Sequence, residues 1–533
     1  MVRRGTVGMA SNILPRPLRS LTLFQRNFVA SGALLVASLI GSSWVGVDSN
    51  WDLFNYHAYN GLAVIQGRMF RDVAPASVQG FLNPLFDIPI GITSTFARSA
   101  ILLSIWLAIS QWYGWLAVWR LAQEIVRWNG RGRTGWLLFA FAIIGSCAMS
   151  TAFTSFNDWW LAAFVCDGLR LLFTSKRQHT NGDNAQNASR SAIVSGAAFG
   201  VALAVKLTAT PYVFAGLVVA ALCLARPLLK RWFVGLLLTV LATSGPWAVY
   251  LFLRYRSPFF PLYNETFRSQ SATLHNFDDP RYGARTLQDL VRFPFDLAKG
   301  SSRYGEFAFR EWRFAALLIV CAYFAIHSTR VPTIKELFAS RLFLGPEGMM
   351  LIFIAVSFPL WVVQLGYYRY FLVIEILISF LLVLILQRTF ISIPSAVVIA
   401  LALAGASFQS APNWGRHVSV HTDALKSVGP GRSLLLADFN NSSYLAASIP
   451  RSSRIASISG FASGDLAVDG PIGHGLKRFI GEANAKGSLL ILVDPSRPAT
   501  EWLTKFGAAV VPETCETVMI PTGVRQMCQG GPG

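Results

Sequence analysis

Apolar residues along this chain fall in blocks, at about 28–47, 99–119, 136–153, 158–174, 191–207, 209–225, 232–253, 314–327, 348–365, 370–387 and 391–409. Most are roughly 17–22 residues long, the length at which a helix crosses the hydrocarbon core of a bilayer. Backbone polar groups in that core must be satisfied within the segment, so each block is predicted to be helical. The pattern predicts an all-α polytopic membrane protein with about eleven transmembrane helices. Residues 1–27 form a basic tail, and two long polar segments, 48–98 and 254–313, interrupt the blocks. After residue 409 the pattern changes. Short apolar runs, SLLLAD (433–438), SLLILVD (488–494) and AAVV (508–511), alternate with helix-like stretches near 472–485 and 498–506. These read as buried strands and covering helices, so 410–533 is predicted to be a small α/β domain.

Composition narrows the class further. Hydrophobic residues make up 53% of the chain and charged residues 14%, where soluble proteins average about 45–50% and 25%. A string of soluble domains is excluded, and 39 Phe with 16 Trp exclude a disordered chain. The net charge of +19 reads as anchoring to anionic lipid headgroups and cytoplasmic loops. Nucleic acid is not an expected partner, since no long Lys/Arg run and no RNA-binding motif is present. Basic residues cluster on alternate segments: Arg3, Arg4, Arg16, Arg19 and Arg26; Arg120, Arg127, Arg131 and Arg133; Lys176, Arg177 and Arg190; Arg226, Lys230 and Arg231; Arg330, Lys335 and Arg341; Arg388. By the positive-inside rule these face the cytoplasm. The N-terminus is then inside the cytoplasmic membrane, and the segments 48–98, 254–313 and 410–533 are outside.

Cys147, Cys166, Cys223 and Cys321 lie in apolar blocks, and no CxxC pair suggests a zinc site. Cys515 and Cys528 lie in the polar C-terminal domain. They pair if that side is oxidising and remain free thiols otherwise.

Three function classes suit a chain of this kind. A transporter or flippase for a lipid-linked sugar needs a polar path, with ionisable groups in mid-membrane and paired broken helices. Here the mid-span acids are few (Asp167 and Glu375), and no repeated pair of broken helices stands out. A non-catalytic envelope assembly protein would bind through its C-terminal domain. An enzyme acting on a lipid headgroup would keep its chemistry in outward loops, and there the sequence is most informative. The segment VDSNWDLFNYHAYNG (47–61) continues into GRMFRDVAPASVQGFLNPLFDIPI (67–90). It carries Asp48, Asp52, Asp72 and Asp87, with Asp52 one helical turn before Tyr56.

With these residues the chain resembles the C-type (GT-C) membrane glycosyltransferases. The likeness lies in Asp52, Tyr56, Gly61/Gly67 and Asn83-Pro84-Leu85, then SFNDWW (155–160), GAAFGVALAVKLTATPY (196–212), GPWAVYLFLRYRSPFFPLYN (245–264) and GYYRYFLVIEI (366–376). The ordered set covers roughly residues 28–390. The resemblance implies inverting transfer of a hexose or pentose from a polyprenyl-phosphate carrier to a glycan, lipid or protein acceptor in the cell envelope. It implies a catalytic carboxylate serving as base, Asp52 or Asp48. It also implies substrate contacts from Tyr56, His57, Asn83, Asp87, Asp158, Lys206, Arg369 and Tyr370. Many members carry adjacent acids where this chain has Asp52-Leu53, so participation of a divalent metal stays open, and no metal ligand is assigned.

The residue types suit that chemistry. A carboxylate can take the proton of an acceptor hydroxyl, and cations stabilise the charge on a departing phosphate. Arg offers bidentate contact to phosphate, and Lys a point charge. The predicted topology is tested by a reporter fused after Gly533. Activity confined to the outer side is expected, and cytoplasmic activity would invert the map.

Overall fold

The computed structural model describes residues 23–533 apart from 97–98, 130–134, 275–285, 328–344, 365, 390–401, 403–404, 406, 408–413, 417–419, 421, 426–427, 440–441 and 498. The apolar block 391–409, most of the basic tail, and Arg131, Arg133, Arg330, Lys335 and Arg341 lie largely or wholly outside the described residues.

The other blocks form helices. In chain order these are α1 (Leu23–Val45), then α2 (Ala58–Ile65) and α3 (Ile88–Ser94) within the first polar segment. There follow α4 (Ser99–Asn129), α5 (Gly135–Ile143), α6 (Ser146–Ser150), α7 (Asp158–Thr180), α8 (Ala185–Val205), α9 (Thr210–Cys223), α10 (Arg226–Thr243) and α11 (Gly245–Tyr255). The second polar segment holds α12 (Asn264–Phe267) and α13 (Leu287–Lys299), and the bundle closes with α14 (Arg313–His327), α15 (Pro346–Gln364) and α16 (Leu372–Thr389). Five of the described helices are long and apolar enough to cross a membrane unaided, and the bent pair α10–α11 makes a sixth. The chain is a multi-pass membrane protein.

Three blocks depart from simple spans. The block 232–253 bends by 52° between α10 and α11, where Pro246 in the first turn of α11 cannot donate the hydrogen bond that a continuous helix needs. The block 209–225 starts with a 3₁₀ turn at Leu207–Ala209. The block 136–153 breaks at Ile144–Gly145. There Ser146 N–H donates to Glu311 (3.1 Å), and Cys147 and Ala148 N–H donate to Glu375 (3.0 Å each), in place of carbonyls one turn back. The Arg313 guanidinium accounts for the other side of the break by donating to the Ile144 carbonyl at 2.9 Å. Elsewhere helices meet closely. A β-carbon on Gly196 or Gly235 would collide with the backbone of the facing helix, so only glycine allows α8 and α10 to approach as they do.

The C-terminal domain is a six-stranded sheet. Its strands are β1 (Ser433–Ala437), β2 (Arg454–Ser457), β3 (Leu489–Val493), β4 (Ala508–Val510), β5 (Glu516–Ile520) and β6 (Gly523–Pro532), ordered β2-β1-β3-β6-β4 with β5 also on β6. β2, β1 and β3 are parallel, and β6 runs antiparallel to β3, β4 and β5. Every residue of β1 and β3 is buried, as expected for parallel strands covered on both faces. Between the strands lie α17 (Ser459–Ala462), α18 (Pro471–Ala485) and α19 (Thr500–Lys505). Cys515 and Cys528 are joined in a disulfide.

This domain is sewn to the first polar segment. Val73 pairs with β2, donating to the Ile455 carbonyl (3.1 Å) and accepting from Ser457 N–H (3.1 Å). Arg68, fully buried, donates to the carbonyls of Ser453 (3.2 Å) and Pro450 (3.4 Å). Beside it, Asp72 accepts from Ile455 N–H (3.1 Å) and the Tyr59 hydroxyl (3.2 Å). The second polar segment adds backbone bonds between Thr273 and Asp465 and between Ala467 and Ser271.

Burial pushes the Asp72 carboxyl up to about 6, outweighing the nearby Arg68 and its hydrogen bonds. A carboxyl raised in the folded state favours folding while protonated. Its contribution is therefore fully present below the unfolded value of 3.8 and is lost as pH rises through about 6. Thermal unfolding of the detergent-solubilised protein across that range should show this slope. Asp72→Asn should flatten it; an unchanged slope would remove Asp72 from the account.

Candidate functional site

After α1 the chain leaves the bundle and turns back at Asp48–Asp52. The Asn50 side chain accepts from Leu53 N–H at 2.8 Å and starts a new helix. Residues Leu53–His57 wind as a π-turn before continuing as α2, a rare geometry that recurs at functional sites. Asp48 is fully buried. It accepts from Ser155 N–H (3.1 Å), the Ser155 hydroxyl (3.0 Å) and the Asn50 amide. Burial raises its carboxyl above the ordinary range, and Arg416 and Ser155 offset this only in part. Asp48 thus pins the first polar segment to the turn before α7.

Asp52 faces a different environment. Its carboxylate meets Arg369 Nη2 at 2.9 Å. Arg369 Nε lies 3.6 Å from Asp158 Oδ2, and Lys206 Nζ lies 2.7 Å from Asp158 Oδ1. The four charges form a row of alternating sign: Asp52, Arg369, Asp158, Lys206. Aromatic faces surround it. The Arg369 guanidinium lies 3.7 Å from the Phe156 ring centroid, 5.2 Å from Tyr370 and 5.4 Å from Tyr367, and Lys206 lies 5.1 Å from Tyr370. Arg369 also donates to the Tyr370 hydroxyl at 3.2 Å.

Each member is set by a break in regular structure. Asp158 opens α7 behind Asn157, whose left-handed backbone (φ 63°) reverses the chain. Lys206 ends α8 in an extended conformation. Arg369 sits in the 3₁₀ turn Tyr368–Phe371 just before α16. Side chains from other helices hold that turn. The Cys147 thiol donates to the Arg369 carbonyl (3.2 Å), the Tyr212 hydroxyl to the Tyr370 carbonyl, and the Tyr368 hydroxyl to Glu375 (2.5 Å).

A second cluster adjoins the row. His57 Nδ1 lies 2.6 Å from Asp87 Oδ1, and Asp87 also accepts from the Asn157 amide at 3.1 Å. The Tyr56 ring packs against His57 at a tilt, with centroids 4.1 Å apart. Asp87 is brought here because α2 and α3 cross at two glycines. A β-carbon on Gly61 would strike the Asp87 carbonyl, and one on Gly91 would strike the backbone at Gly61–Leu62.

Burial alone would raise the Asp52 carboxyl. The positive charges beside it, Arg369 foremost, outweigh it, and the net value lies below the ordinary one. With 14% of its side chain exposed, Asp52 is a partly accessible, firmly ionised carboxylate.

Nine of the ten residues singled out from the sequence fall in or beside this assembly: Asp48, Asp52, Tyr56, His57, Asp87, Asp158, Lys206, Arg369 and Tyr370. Asn83 does not join it. Its amide donates to the Thr243 carbonyl of α10 at 3.3 Å, and its side-chain carbonyl accepts from Leu85 N–H at 3.1 Å. Sequence reading missed Phe156, Asn157 and Tyr367, although SFNDWW and GYYRYF contain them. It also missed Cys147 and Tyr212, which carry no local signal because they act on the backbone of a distant turn, and it showed Glu375 only as a mid-span acid.

A divalent cation does not suit these residues. Among the described residues no three of His, Cys, Asp and Glu group as ligands. Asp52 and Asp158 are already matched by Arg369 and Lys206, so a doubly charged ion here would meet two positive charges at contact distance. No chemical step is derived through a metal.

No family model and no curated protein matches the chain. Among solved structures it is similar to the Archaeoglobus fulgidus oligosaccharyltransferase, crystallised tethered through a disulfide bond to an acceptor peptide containing the NVT sequon. The identity is 13%, the match covers 94% of this chain and 74% of that one, and the TM-score is 0.42. The functional reading therefore rests on the site.

Proposed function

We propose that this protein is an inverting membrane glycosyltransferase, moving a hexose or pentose from a polyprenyl-phosphate carrier to a cell-envelope acceptor on the outer face of the cytoplasmic membrane. The observation that carries the reading is the row Asp52–Arg369–Asp158–Lys206, assembled from four separate parts of the chain beside the segment that docks the C-terminal domain.

In this reading Arg369 and Lys206 receive the carrier phosphate and stabilise the charge it gains as the sugar–oxygen bond breaks. Their carboxylate partners hold them in place before the donor arrives, so little reorganisation remains at the moment of reaction. Asp52 accepts a hydrogen bond from the acceptor hydroxyl and turns its lone pair toward the anomeric carbon, on the face opposite the phosphate. Tyr56, Tyr370 and the rings around Arg369 line the approach. Asp48, enclosed by Ser155 and Asn50, acts as an anchor in this scheme.

Two observations weigh against the transporter reading. Asp167 is tied to Arg170 (2.7 Å) and to the Tyr113 hydroxyl (3.1 Å), and Glu375 is occupied by two backbone N–H groups and Tyr368. Both mid-span acids are thus engaged by protein groups. The Cys515–Cys528 bridge supports an oxidising, outward location for the C-terminal domain.

Purified protein in liposomes, given a panel of radiolabelled polyprenyl-phosphate hexoses and pentoses with cell-envelope extract as acceptor, tests the proposal. Asp52→Asn should lower turnover per folded molecule by about 10²–10⁴, with folded yield measured alongside because Arg369 loses one of its two carboxylate partners. Lys206→Ala should weaken donor binding by roughly tenfold or more, the worth of one charge-assisted contact, with a smaller change in kcat. An inert wild type, or an Asp52→Asn variant with full turnover, would sink the transferase reading of this row.

A further inference from the structure

Building on the transferase reading, we propose that His57, oriented by Asp87, is the group that takes the proton of the acceptor hydroxyl. The reason begins with what Asp52 does poorly. A carboxylate paired with a guanidinium at 2.9 Å and held below its ordinary proton affinity orients a hydroxyl well. It is a weak final acceptor for the proton, because proton-transfer efficiency rises with the basicity of the acceptor. The proton needs another destination.

His57 offers one. It is only 2% exposed, and its two ring nitrogens are in different situations. Nδ1 is bonded to Asp87 at 2.6 Å. Nε2 is buried and has no hydrogen-bond partner among the described residues. A carboxylate on Nδ1 fixes the proton there in the neutral ring and leaves the Nε2 lone pair bare. It also stabilises the imidazolium once a second proton arrives. Leaving a buried nitrogen unmatched costs free energy unless something enters to use it. The Asn157 amide on Asp87 (3.1 Å) keeps that carboxylate turned toward the ring, and the Gly61–Gly91 crossing holds the two side chains together.

The step balances. The acceptor oxygen forms a bond to the anomeric carbon. The carbon–oxygen bond to phosphate breaks, and its electron pair stays on the phosphate held by Arg369 and Lys206. The hydroxyl proton passes to His57 Nε2 and later returns to solvent. Asp87 is a positioning residue in this scheme. The charged and titratable groups around His57 are Asp87 ahead of α3 at 2.6 Å, Tyr56, whose ring packs on it, and Asp52, which interacts with it electrostatically.

The experiment follows kcat and KM against pH in the same liposome assay, for wild type, His57→Gln, Asp87→Asn and Asp52→Asn. Donor binding serves as the check on folding. In wild type the rate should fall one-for-one with added protons on the acid side, as the base becomes occupied. His57→Gln should lose about 10²–10⁴ in kcat with donor affinity kept, and its residual rate should lack the acid limb. Asp87→Asn should lower kcat by roughly 10² or more and displace the limb with little change in KM. If His57→Gln fails to bind donor, the Asp87→Asn profile decides, and an undisplaced limb would overturn the proposal. Wild-type transfer with a His57→Gln variant of full kcat would overturn the histidine and leave the transferase standing. A wild type that transfers no sugar would end both readings.

Discussion

Charge balance around one buried guanidinium governs the architecture of this end of the bundle. Arg369 is 6% exposed and lies against three aromatic rings, an environment in which an unpaired cation is untenable. Removing one partner from such a pair typically costs about 3–5 kcal/mol. Asp52 and Asp158 must therefore both come to it, one from the segment after α1 and the other from the start of α7. Lys206 follows to match the second oxygen of Asp158. Four stretches far apart in sequence are brought into register by a requirement that none of them carries alone.

The same logic operates one layer deeper. The turn bearing Arg369 is a single 3₁₀ turn, closed by Tyr370 N–H on the Tyr367 carbonyl at 3.0 Å, and the carbonyls of Arg369 and Tyr370 are taken up by Cys147 and Tyr212. Cys147 is in turn placed by the broken helix α5–α6, whose exposed N–H groups are satisfied by Glu311 and Glu375. A break in a membrane helix is tolerated only where protein groups replace the lost hydrogen bonds. Here the replacements also carry the scaffold that sets the angle of the guanidinium.

Much of this was legible in the chain. Block length predicted the helices, because a bilayer imposes a minimum apolar run, and the continuous runs of β1 and β3 announced strands buried on both faces. β2, β5 and β6 were not foreseen. RIAS is too short to show a period, ETVMI is half solvated, and GVRQMCQGGP has few strand-forming residues; their pairing comes from neighbours. At the site, acids and bases in polar segments beside apolar blocks were visible, since charge near a bilayer is conspicuous. Pairing was not. Nothing local in the sequence sets Asp52 opposite Arg369, gives Asp48 to Ser155, or turns Asn83 toward α10, because these choices are made by which helices pack together. The π-turn at Leu53–His57 was likewise silent, although it decides how Asp52 and His57 are presented.

The short pairing of Val73 with β2 bears on how the molecule can be divided. β2 ends the sheet on that side, and in the whole chain its outward N–H and C=O groups are covered by a residue that belongs to the segment between α1 and α3. Cut away from that segment, the C-terminal domain would present an open strand edge bearing Ile455 and Ala456, together with the backbone carbonyls that Arg68 had engaged. Uncovered edges recruit other strands. Expressed as a free fragment, the domain would therefore tend to self-associate through β2, so it is best regarded as a lobe completed by the membrane part, with the seam between them running alongside the segment that carries Asp52 and His57.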